Sequence, residues 1–273
     1  MTTSVARRIT GVTLALGVLL GGIWSFLEVR SSRPVALSTL SEQQWREDLQ
    51  SMARGLAKRH ANAFHRVTRE QYWRLVAEID SAIPGRAAAD LPVDFAKLTA
   101  AVGDAHTYLS LPAHQHFYPF GVYYFGDDLR VTRATPASQD LLGARLVKID
   151  ESDVHQVQAR LEEILTQGEN RWFYRAHSPH FLSREVLHAL GVVRDTAAAT
   201  FPFARDDGAT VTRTMAPLAE DPDDWVRPYT QAPLYIEHAG DDFWFSALPQ
   251  ASAVYVAFNS YAHLSTNAAR LFS

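Results

Sequence analysis

The spacing of apolar residues changes once along this chain, and that change constrains its fold more than any other feature. Between residues 41 and 103 apolar side chains recur at intervals of three and four, as on one face of an α-helix. Ser41 with Gln44 and Thr68 with Gln71 form capping-box patterns, which predict two helix starts, and a third helix is predicted to end at Gly103. Beyond residue 116 the period shortens towards two, which is typical of strands. The chain is therefore predicted to be α+β.

The β-prone part contains two predicted hairpins and three later strands. The hairpins turn at Gly126-Asp127-Asp128 and at residues 205–208, and Ser152 is predicted to cap a helix between them. A less regular helical stretch is predicted to end at Gly191. The later strands are predicted at residues 234–237, 243–247 and 253–258, and residues 266–272 indicate the start of a helix. The last of these strands is apolar and leads into the predicted helix, but no later strand follows that could pair with it in parallel. This pattern predicts an α/β domain whose remainder is missing.

The N-terminus predicts a membrane segment. Arg7 and Arg8 precede an uncharged, apolar run over residues 9–27, which is long enough as a helix to cross a hydrocarbon core roughly 30 Å thick. We expect an uncleaved anchor within residues 1–33. A cleavable signal peptide and a buried helix of a soluble protein are the alternatives. Arg30 and Arg33 balance the two earlier arginines, so the charge pattern leaves the orientation open.

Charge and cysteine content exclude two classes of function. The net charge of -4 and the pI near 6.2 provide no broad basic surface for phosphates, so no nucleic-acid partner is expected. The chain has no cysteine, which excludes disulfides and thiolate catalysis.

His106 is the first candidate for chemistry. It follows Gly103-Asp104-Ala105, where a helix is predicted to give way to a strand. Histidine transfers protons near neutral pH without much tuning by its surroundings, although a structural hydrogen bond is the usual explanation for an isolated histidine at such a junction. Asp104, in a Gly-Asp turn, is expected to bind backbone amides.

A complete hydrolytic site is not evident. The sequence lacks a Gly-x-Ser-x-Gly segment, and Ser252, Ser260 and Ser265 have no glycine-rich setting. We therefore expect the chain alone not to hydrolyse peptides. His114-x-His116 and His177 with His180 have ligand-like spacing but no recognised zinc pattern, so neither a metal nor a cofactor is expected.

Several short motifs in order resemble the tail-specific, or carboxyl-terminal processing, serine protease family. The motifs cover most of the chain after residue 40. They are His60-Ala61-Asn62-Ala63-Phe64-His65, Gly103-Asp104-Ala105-His106-Thr107, Tyr118-Pro119-Phe120, Leu129-Arg130-Val131-Thr132, residues 142–150, Pro233-Leu234-Tyr235 and Val254-Tyr255-Val256-Ala257-Phe258-Asn259.

The resemblance implies an architecture and roles for particular residues. It implies a helical cap over residues 34–115, a PDZ-like β-rich module with a helical insertion over residues 116–215, and the first strands of a truncated α/β protease core over residues 216–273. In the family's tricorn-like branch a histidine matching His106 acts as general base to a serine that lies downstream of residue 259. Phe120, Gly121 and Val122 occupy the family's carboxylate-binding loop, although Pro119 beside them offers no amide donor.

Two classes of function remain open. The first is the N-terminal region of a membrane-anchored serine-type peptidase that lacks its nucleophilic serine and is inactive alone. The second is a non-catalytic extracytoplasmic peptide-binding protein. Both predict a protein or peptide partner, attachment to a membrane through residues 9–27, and a periplasmic or cell-surface location, with secretion if the N-terminal segment is cleaved. The sequence leaves the oligomeric state open.

Overall fold

The computed structural model of the chain describes residues 36–112, 115–166 and 178–260. These residues form two compact units. The first takes the described part of Met1–Tyr118, Lys148–Phe201 and Thr214–Ala219, and the second takes the described part of Pro119–Val147, Pro202–Arg213 and Glu220–Ser273. The units interleave along the chain, and the domain boundaries inferred from sequence stay a prediction.

The regular elements can be named in chain order. In the described residues the α-helices are α1 (Glu42–Arg59), α2 (Arg69–Ala82), α3 (Leu91–Val102), α4 (Val154–Glu162) and α5 (Arg184–Ala189). The strands there are β1 (Phe120–Phe125), β2 (Asp128–Ala134), β3 (Arg145–Leu146), β4 (Lys148–Ile149), β5 (Ser152–Asp153), β6 (Ala199–Ala204), β7 (Thr210–Met215), β8 (Phe243–Leu248) and β9 (Ala253–Phe258).

Helices α1 and α2 begin, and α3 ends, where the sequence predicts. The Ser41 hydroxyl accepts a hydrogen bond from the Gln44 amide, and the Gln44 side chain accepts one from the Ser41 amide, which completes a capping box. Thr68 and Gln71 repeat this arrangement at the start of α2. Gly103 ends α3 in the left-handed conformation, with φ 78°.

The three helices enclose the core of the first unit. The Trp45 and Phe95 rings meet edge to face with centroids 5.7 Å apart. Tyr72 is fully buried, and its hydroxyl donates to the Ala53 carbonyl at 3.1 Å. Burial raises the pKa of Tyr72 to about 12. The buried members of this core are Trp45, Leu49, Ala53, Tyr72, Val76, Ile79, Ile83, Leu91, Phe95, Leu98 and Val102.

The start of α4 and the end of α5 each depend on a single residue. Asp153 caps α4, because its carboxylate accepts from the amides of His155 and Gln156. The sequence placed this cap at Ser152, which instead lies in the two-residue strand β5. Gly191 follows α5 with φ 69°, as predicted.

A five-stranded sheet carries the order β1-β2-β3-β6-β7. The pairs β1–β2, β2–β3 and β3–β6 are antiparallel. Both predicted hairpins are present, and Gly126 and Gly208 supply the positive φ that their turns need, at 62° and 86°. Strand β1 stands at one edge of this sheet, and the β1–β2 register shifts between Gly121 and Val122.

The prediction of an α/β protease core is not met by the described residues. Strands β8 and β9 form an antiparallel hairpin, because the residues between them, 249–252, are far too few for the crossover that parallel strands require. The run at residues 234–237, predicted as a strand, is a 3-10 turn over Leu234–Ile236. Strand β9 is apolar, as is typical of a buried strand, yet Val254 and Val256 are 62% and 63% exposed.

The predicted fold class is wrong in including an N-terminal membrane helix. Within the described ranges, no helix has both the length and the apolar character to span a bilayer. The predicted anchor at residues 9–27 and the predicted helix at residues 266–272 lie outside these ranges. The structure supports an α+β fold with a β-rich sheet and helices.

Candidate functional site

The candidate site is built around the turn that follows α3. Gly103 is essential to that turn, because a Cβ there would lie 2.5 Å from Cγ of Arg66 as well as requiring a positive φ. The amide of Gly103 donates to the Ala100 carbonyl at 3.0 Å, which closes the helix. The chain therefore leaves α3 in one fixed direction just before Asp104.

The Asp104 carboxylate holds this turn together. Oδ1 accepts from the His106 amide at 3.0 Å, and Oδ2 accepts from the Thr107 hydroxyl at 2.8 Å. Oδ2 also lies 3.1 Å from Nε2 of His60, the residue that caps the C-terminus of α1. The predicted role of Asp104 in binding backbone amides is confirmed by the first of these bonds.

The tautomer of His60 follows from its second nitrogen. Nδ1 of His60 accepts a hydrogen bond from the Asn62 amide at 3.1 Å, so Nδ1 carries no proton. Nε2 must then be protonated and donates to Asp104. His60 thus ties the end of α1 to the turn after α3.

These hydrogen bonds set the charge of the turn. The bond from the His106 amide, followed by those from His60 and Thr107, holds the pKa of Asp104 well below its ordinary value. Asp104 is therefore an ionised acceptor at neutral pH, and it cannot serve as a proton donor there.

His106 presents its imidazole to solvent. Its side chain is 96% exposed, and Nδ1 lies 3.8 Å from Oδ1 of Asp104, which is an ion-pair distance but too long for a hydrogen bond. Because the amide of His106 is fixed and the ring is free, the turn displays a histidine that can exchange protons with a molecule outside this surface. The catalytic role of His106 stays a prediction.

An open groove adjoins the same turn. It has a volume of about 590 Å³ and is lined along α1 and by His60 and Thr107. Its lining is mixed, since Met52 and Leu56 are apolar whereas Asp48 and Arg59 are charged. Two of the three residues that hold Asp104 in place, His60 and Thr107, therefore also line this groove.

The three residues predicted to bind a substrate carboxylate lie in strand β1. Phe120 is buried, and its ring packs edge to face on Phe203 with centroids 5.2 Å apart. Gly121 sits under Arg133, so that a Cβ at position 121 would lie 2.5 Å from Nε of that arginine. Gly121 and Val122 flank the irregularity in the β1–β2 register. Their predicted role in binding stays a prediction.

A second polar cluster in the first unit was missed by the sequence reasoning. Glu185 accepts from the His116 amide at 2.9 Å and lies 2.6 Å from Nδ1 of the same residue, and Arg184 donates to Glu185 as well. Burial acts to raise the pKa of Glu185, but these hydrogen bonds outweigh it and lower the pKa. No local pattern in the sequence links positions 116 and 185, which are 69 residues apart.

Metal-binding geometry is not evident in the described ranges, where no three histidine, cysteine, aspartate or glutamate side chains come together as ligands. Lys97, one of three lysines in the chain, is paired with Asp94 at 3.2 Å and Glu163 at 3.4 Å. It therefore contributes to ion pairs beside α3. His114 and His177 lie outside the described residues.

The sequence matches no known protein-family profile and no curated protein. Among solved structures, similarity is found to mature CPAF complexed with lactacystin, at 15% identity and a TM-score of 0.48, and to mature CPAF, at 16% identity and the same TM-score. In both cases the match covers 74% of this chain and 40% of the CPAF chain. A mutant of CPAF is matched over 65% of this chain and 34% of its own, at 15% identity and a TM-score of 0.48. This chain thus spans less than half the length of those proteins, and at these values the similarity establishes no shared activity.

Proposed function

We propose that this chain is the N-terminal region of a serine-type peptidase of the tail-specific family. In this proposal it supplies the general base and part of the peptide-recognition surface, and the nucleophilic serine lies outside its 273 residues. The observation that carries the proposal is the turn at Gly103-Asp104-Ala105-His106-Thr107, which holds the backbone of His106 rigidly and leaves its imidazole exposed. The ordered series of motifs described above is its support in the sequence.

The proposed chemistry follows from what an exposed imidazole can do. A neutral ring nitrogen of His106 accepts the proton of a serine hydroxyl that comes within about 3 Å as the oxygen attacks the peptide carbonyl. The resulting imidazolium then gives that proton to the leaving amine. The Asp104 carboxylate lies beside this ring, with Oδ1 3.8 Å from Nδ1. The oxyanion would need amide donors from the part of the peptidase that carries the serine.

The proposal is tested with the protein that includes any coding sequence downstream of Ser273. The substitution His106→Ala is expected to lower kcat for peptide cleavage by a factor of about 100 to 10,000, the range for loss of a general base. His155→Ala is the matched control, because His155 is an exposed histidine on α4 and is expected to leave kcat unchanged. Equal turnover of His106→Ala and the unmodified protein would remove His106 from the mechanism.

The 273-residue chain by itself gives a second readout. It is expected to bind peptides without cleaving them. A natural stop codon after Ser273, together with peptide binding, would assign the protein to the alternative class of non-catalytic peptide-binding proteins. Cleavage by the chain alone would contradict the proposal that the nucleophile lies elsewhere.

Peptide recognition is proposed to use strand β1. This strand is at an edge of the sheet, and it carries two exposed aromatic side chains, Tyr123 and Phe125, which are 38% and 56% exposed. An extended peptide can add to such an edge through main-chain hydrogen bonds while its side chains contact the aromatic rings. Phe120–Val122 form the first half of the same strand, so a test of peptide binding at β1 also tests the predicted role of these three residues in binding a carboxylate.

Fluorescence polarisation with a labelled peptide distinguishes the parts of this model. A free C-terminal carboxylate is expected to bind more tightly than the amidated peptide, and Tyr123→Ala is expected to weaken binding about 3- to 10-fold, as for loss of one aromatic contact. Tyr108→Ala is the control, because Tyr108 is a 71% exposed tyrosine of the first unit. If the two peptides bind alike, tail recognition is wrong, and if Tyr123→Ala binds like the unmodified chain, β1 is not the binding edge.

An extracytoplasmic location completes the proposal. Its support is the apolar run at residues 9–27, which follows Arg7 and Arg8 in the manner of an export segment. Digestion of intact cells by an added protease is expected to degrade the protein, and full protection would place it inside the cell.

A further inference from the structure

Gly55 lies in the interior of α1, where nothing in the fold requires a glycine. Glycine is less stable than alanine at such a position, because it loses more backbone freedom on folding. Its φ is not positive, and a Cβ there would meet no atom within 4 Å. The missing side chain instead leaves room in the open groove beside the His106 turn, because Gly55 is one of the residues that line this groove.

The groove has charged ends and an apolar middle. Asp48 lies towards the start of α1, and Arg59 is the last residue of this helix. Between them, Met52 and Leu56 provide apolar surface on either side of Gly55. At 1.5 Å per helical residue, the two charged positions lie about 17 Å apart along the axis. Within the part of the chain that the structure describes, the side chains of Asp48 and Arg59 form no ion pair or hydrogen bond, so both charges are available to a bound molecule.

The Arg59 end of the groove is the end that adjoins the candidate general base. His60 and Thr107 line the groove there, and both bind the Asp104 carboxylate. That carboxylate in turn holds the amide of His106. A molecule that lies along α1 with one end at His60 therefore contacts the turn from which the His106 imidazole extends.

An extended peptide fits this groove better than a compact small molecule does. The volume of about 590 Å³ is typical of a ligand site, but the two charges are about 17 Å apart. Five extended residues span about 13 Å between their first and last Cα atoms, and long charged side chains cover the remaining distance. The geometry points to a subsite for an extended segment of the peptide substrate, with an aliphatic side chain over Gly55, an acidic side chain at Arg59 and a basic side chain at Asp48. This inference rests on the proposed function, because it assigns a substrate preference to the same peptidase.

Filling the groove tests the inference. The probe is a fluorescently labelled peptide with both ends blocked and Glu-Thr-Leu-Thr-Lys at its centre, and its binding to the 273-residue chain is measured by fluorescence polarisation. Gly55→Leu places a side chain where the leucine of the peptide is expected, and it should weaken binding at least about 10-fold. Gly85→Leu is the matched control and should bind like the unmodified chain, because a Cβ at Gly85 also meets no atom within 4 Å and Gly85 does not line the groove. Equal binding by the Gly55→Leu variant and the unmodified chain, or no binding by the unmodified chain up to about 1 mM peptide, would overturn the inference.

Charge reversal tests the end of the groove at Arg59. At low ionic strength, Arg59→Glu is expected to weaken binding of the same peptide about 3- to 10-fold. Replacing the glutamate of the peptide by lysine should then restore binding to within about 2-fold, because it recreates a pair of opposite charges. An equal loss of affinity for both peptides would mean that Arg59 does not contact the acidic residue, and it would overturn the assigned preference.

Photo-cross-linking locates the peptide on the unmodified chain and so does not depend on the folding of any variant. The leucine of the peptide is replaced by its diazirine analogue, and the cross-linked residues are identified by mass spectrometry after digestion. Cross-links are expected within residues 48–60, which include the groove face of α1. Cross-links confined to other parts of the chain would overturn the inference.

These readouts separate failure of this inference from failure of the proposed function. The peptide has no free carboxylate and binding requires no turnover, so neither tail recognition nor the role of His106 affects the result. In the protein that includes any downstream coding sequence, Gly55→Leu is expected to raise KM for a peptide of this sequence at least about 10-fold with kcat unchanged, whereas His106→Ala lowers kcat. An unchanged KM in the Gly55→Leu variant would overturn the subsite and leave the catalytic proposal intact. Unchanged turnover in His106→Ala, with peptide still bound along α1, would overturn the catalytic proposal and leave the groove as a peptide-binding site.

Discussion

Gly121 offers a direct test of how strand β1 is built. Its φ does not require glycine, but a Cβ there would lie 2.5 Å from Nε and 2.7 Å from Cγ of Arg133. The guanidinium of Arg133 in turn lies over the Trp225 ring, with Cζ 4.4 Å from the ring centroid. Burial also lowers the pKa of Arg133, in keeping with its packed position. We predict that Gly121→Ala destabilises the second unit by displacing this arginine.

The expected size of the effect comes from three contributions. Forcing a methyl group into packed surroundings costs about 1–3 kcal/mol. Moving the guanidinium away from Trp225 costs about 0.5–1 kcal/mol for a partly exposed cation–π pair. The smaller conformational entropy of unfolded alanine returns about 0.4–1 kcal/mol. The free energy of unfolding should therefore fall by about 1–3 kcal/mol.

A double-mutant cycle separates this mechanism from a general effect of the methyl group. Urea unfolding, followed by tryptophan fluorescence, is measured for Gly121→Ala, Arg133→Ala and the double variant. Removing the arginine opens the space that the methyl group needs, so the two changes should be non-additive by at least about 1 kcal/mol. Gly240→Ala is the matched control, because no atom lies within 4 Å of a Cβ there, and it should change stability by less than about 0.5 kcal/mol.

Two outcomes would refute this reasoning. A Gly121→Ala variant as stable as the unmodified chain would show that Arg133 moves aside at no cost. Additive effects in the cycle would place the cost of the methyl group somewhere other than Arg133. If stability is unchanged while binding of a free carboxylate is lost, Gly121 would instead serve the predicted carboxylate-binding loop.

Three further predictions concern the first unit. The pKa of Asp104 is lowered in the fold, so the stability that its carboxylate gives the turn should be complete above the unfolded-state pKa of about 4 and should disappear as the pH falls through the lowered pKa. Protection of the His106 amide from hydrogen exchange, measured by NMR, should follow the same course. Asp104→Asn should abolish this pH dependence. Tyr72→Phe removes the hydrogen bond to the Ala53 carbonyl and should cost about 1 kcal/mol in urea unfolding at pH 7, against no measurable change for the exposed control Tyr108→Phe. Since the pKa of Tyr72 is raised to about 12, stability should be lost as the pH rises from about 10 towards 12, and Tyr72→Phe should lose less; an equal alkaline loss would contradict this. Leu98→Ala, at a fully buried position, should lower the free energy of unfolding by about 2–5 kcal/mol, and a loss below about 1 kcal/mol would mean that the core of α1 to α3 collapses around the cavity.

The local structure of the first unit could be predicted because short-range chemistry determines it. The capping boxes at Ser41 and Thr68 each depend on a partner only three residues away, and Gly103 ends α3 through its own backbone conformation. The hairpin turns at Gly126 and Gly208 are similarly local. Sequence patterns capture such features because the interacting groups are adjacent in the chain.

The parts that could not be predicted depend on distant partners. His60 reaches Asp104 across 44 residues, so its neighbours in sequence give no sign that it helps to position His106. Strand β9 is apolar throughout, and periodicity alone does not reveal whether another element covers it; the structure leaves Val254 and Val256 exposed. The run after Pro233 has strand-like residues but turns as a 3-10 helix, because local composition does not supply a pairing strand.

The bond between His60 and Asp104 has a mechanical consequence. Helix α1 contains 18 residues, about 27 Å of rigid rod, and His60 stands at its C-terminal end. A shift of this rod along its axis must either break the contact with Asp104 or move the backbone of His106 in the same direction. The position of the His106 backbone is therefore coupled to that of a helix that begins as far away as Glu42.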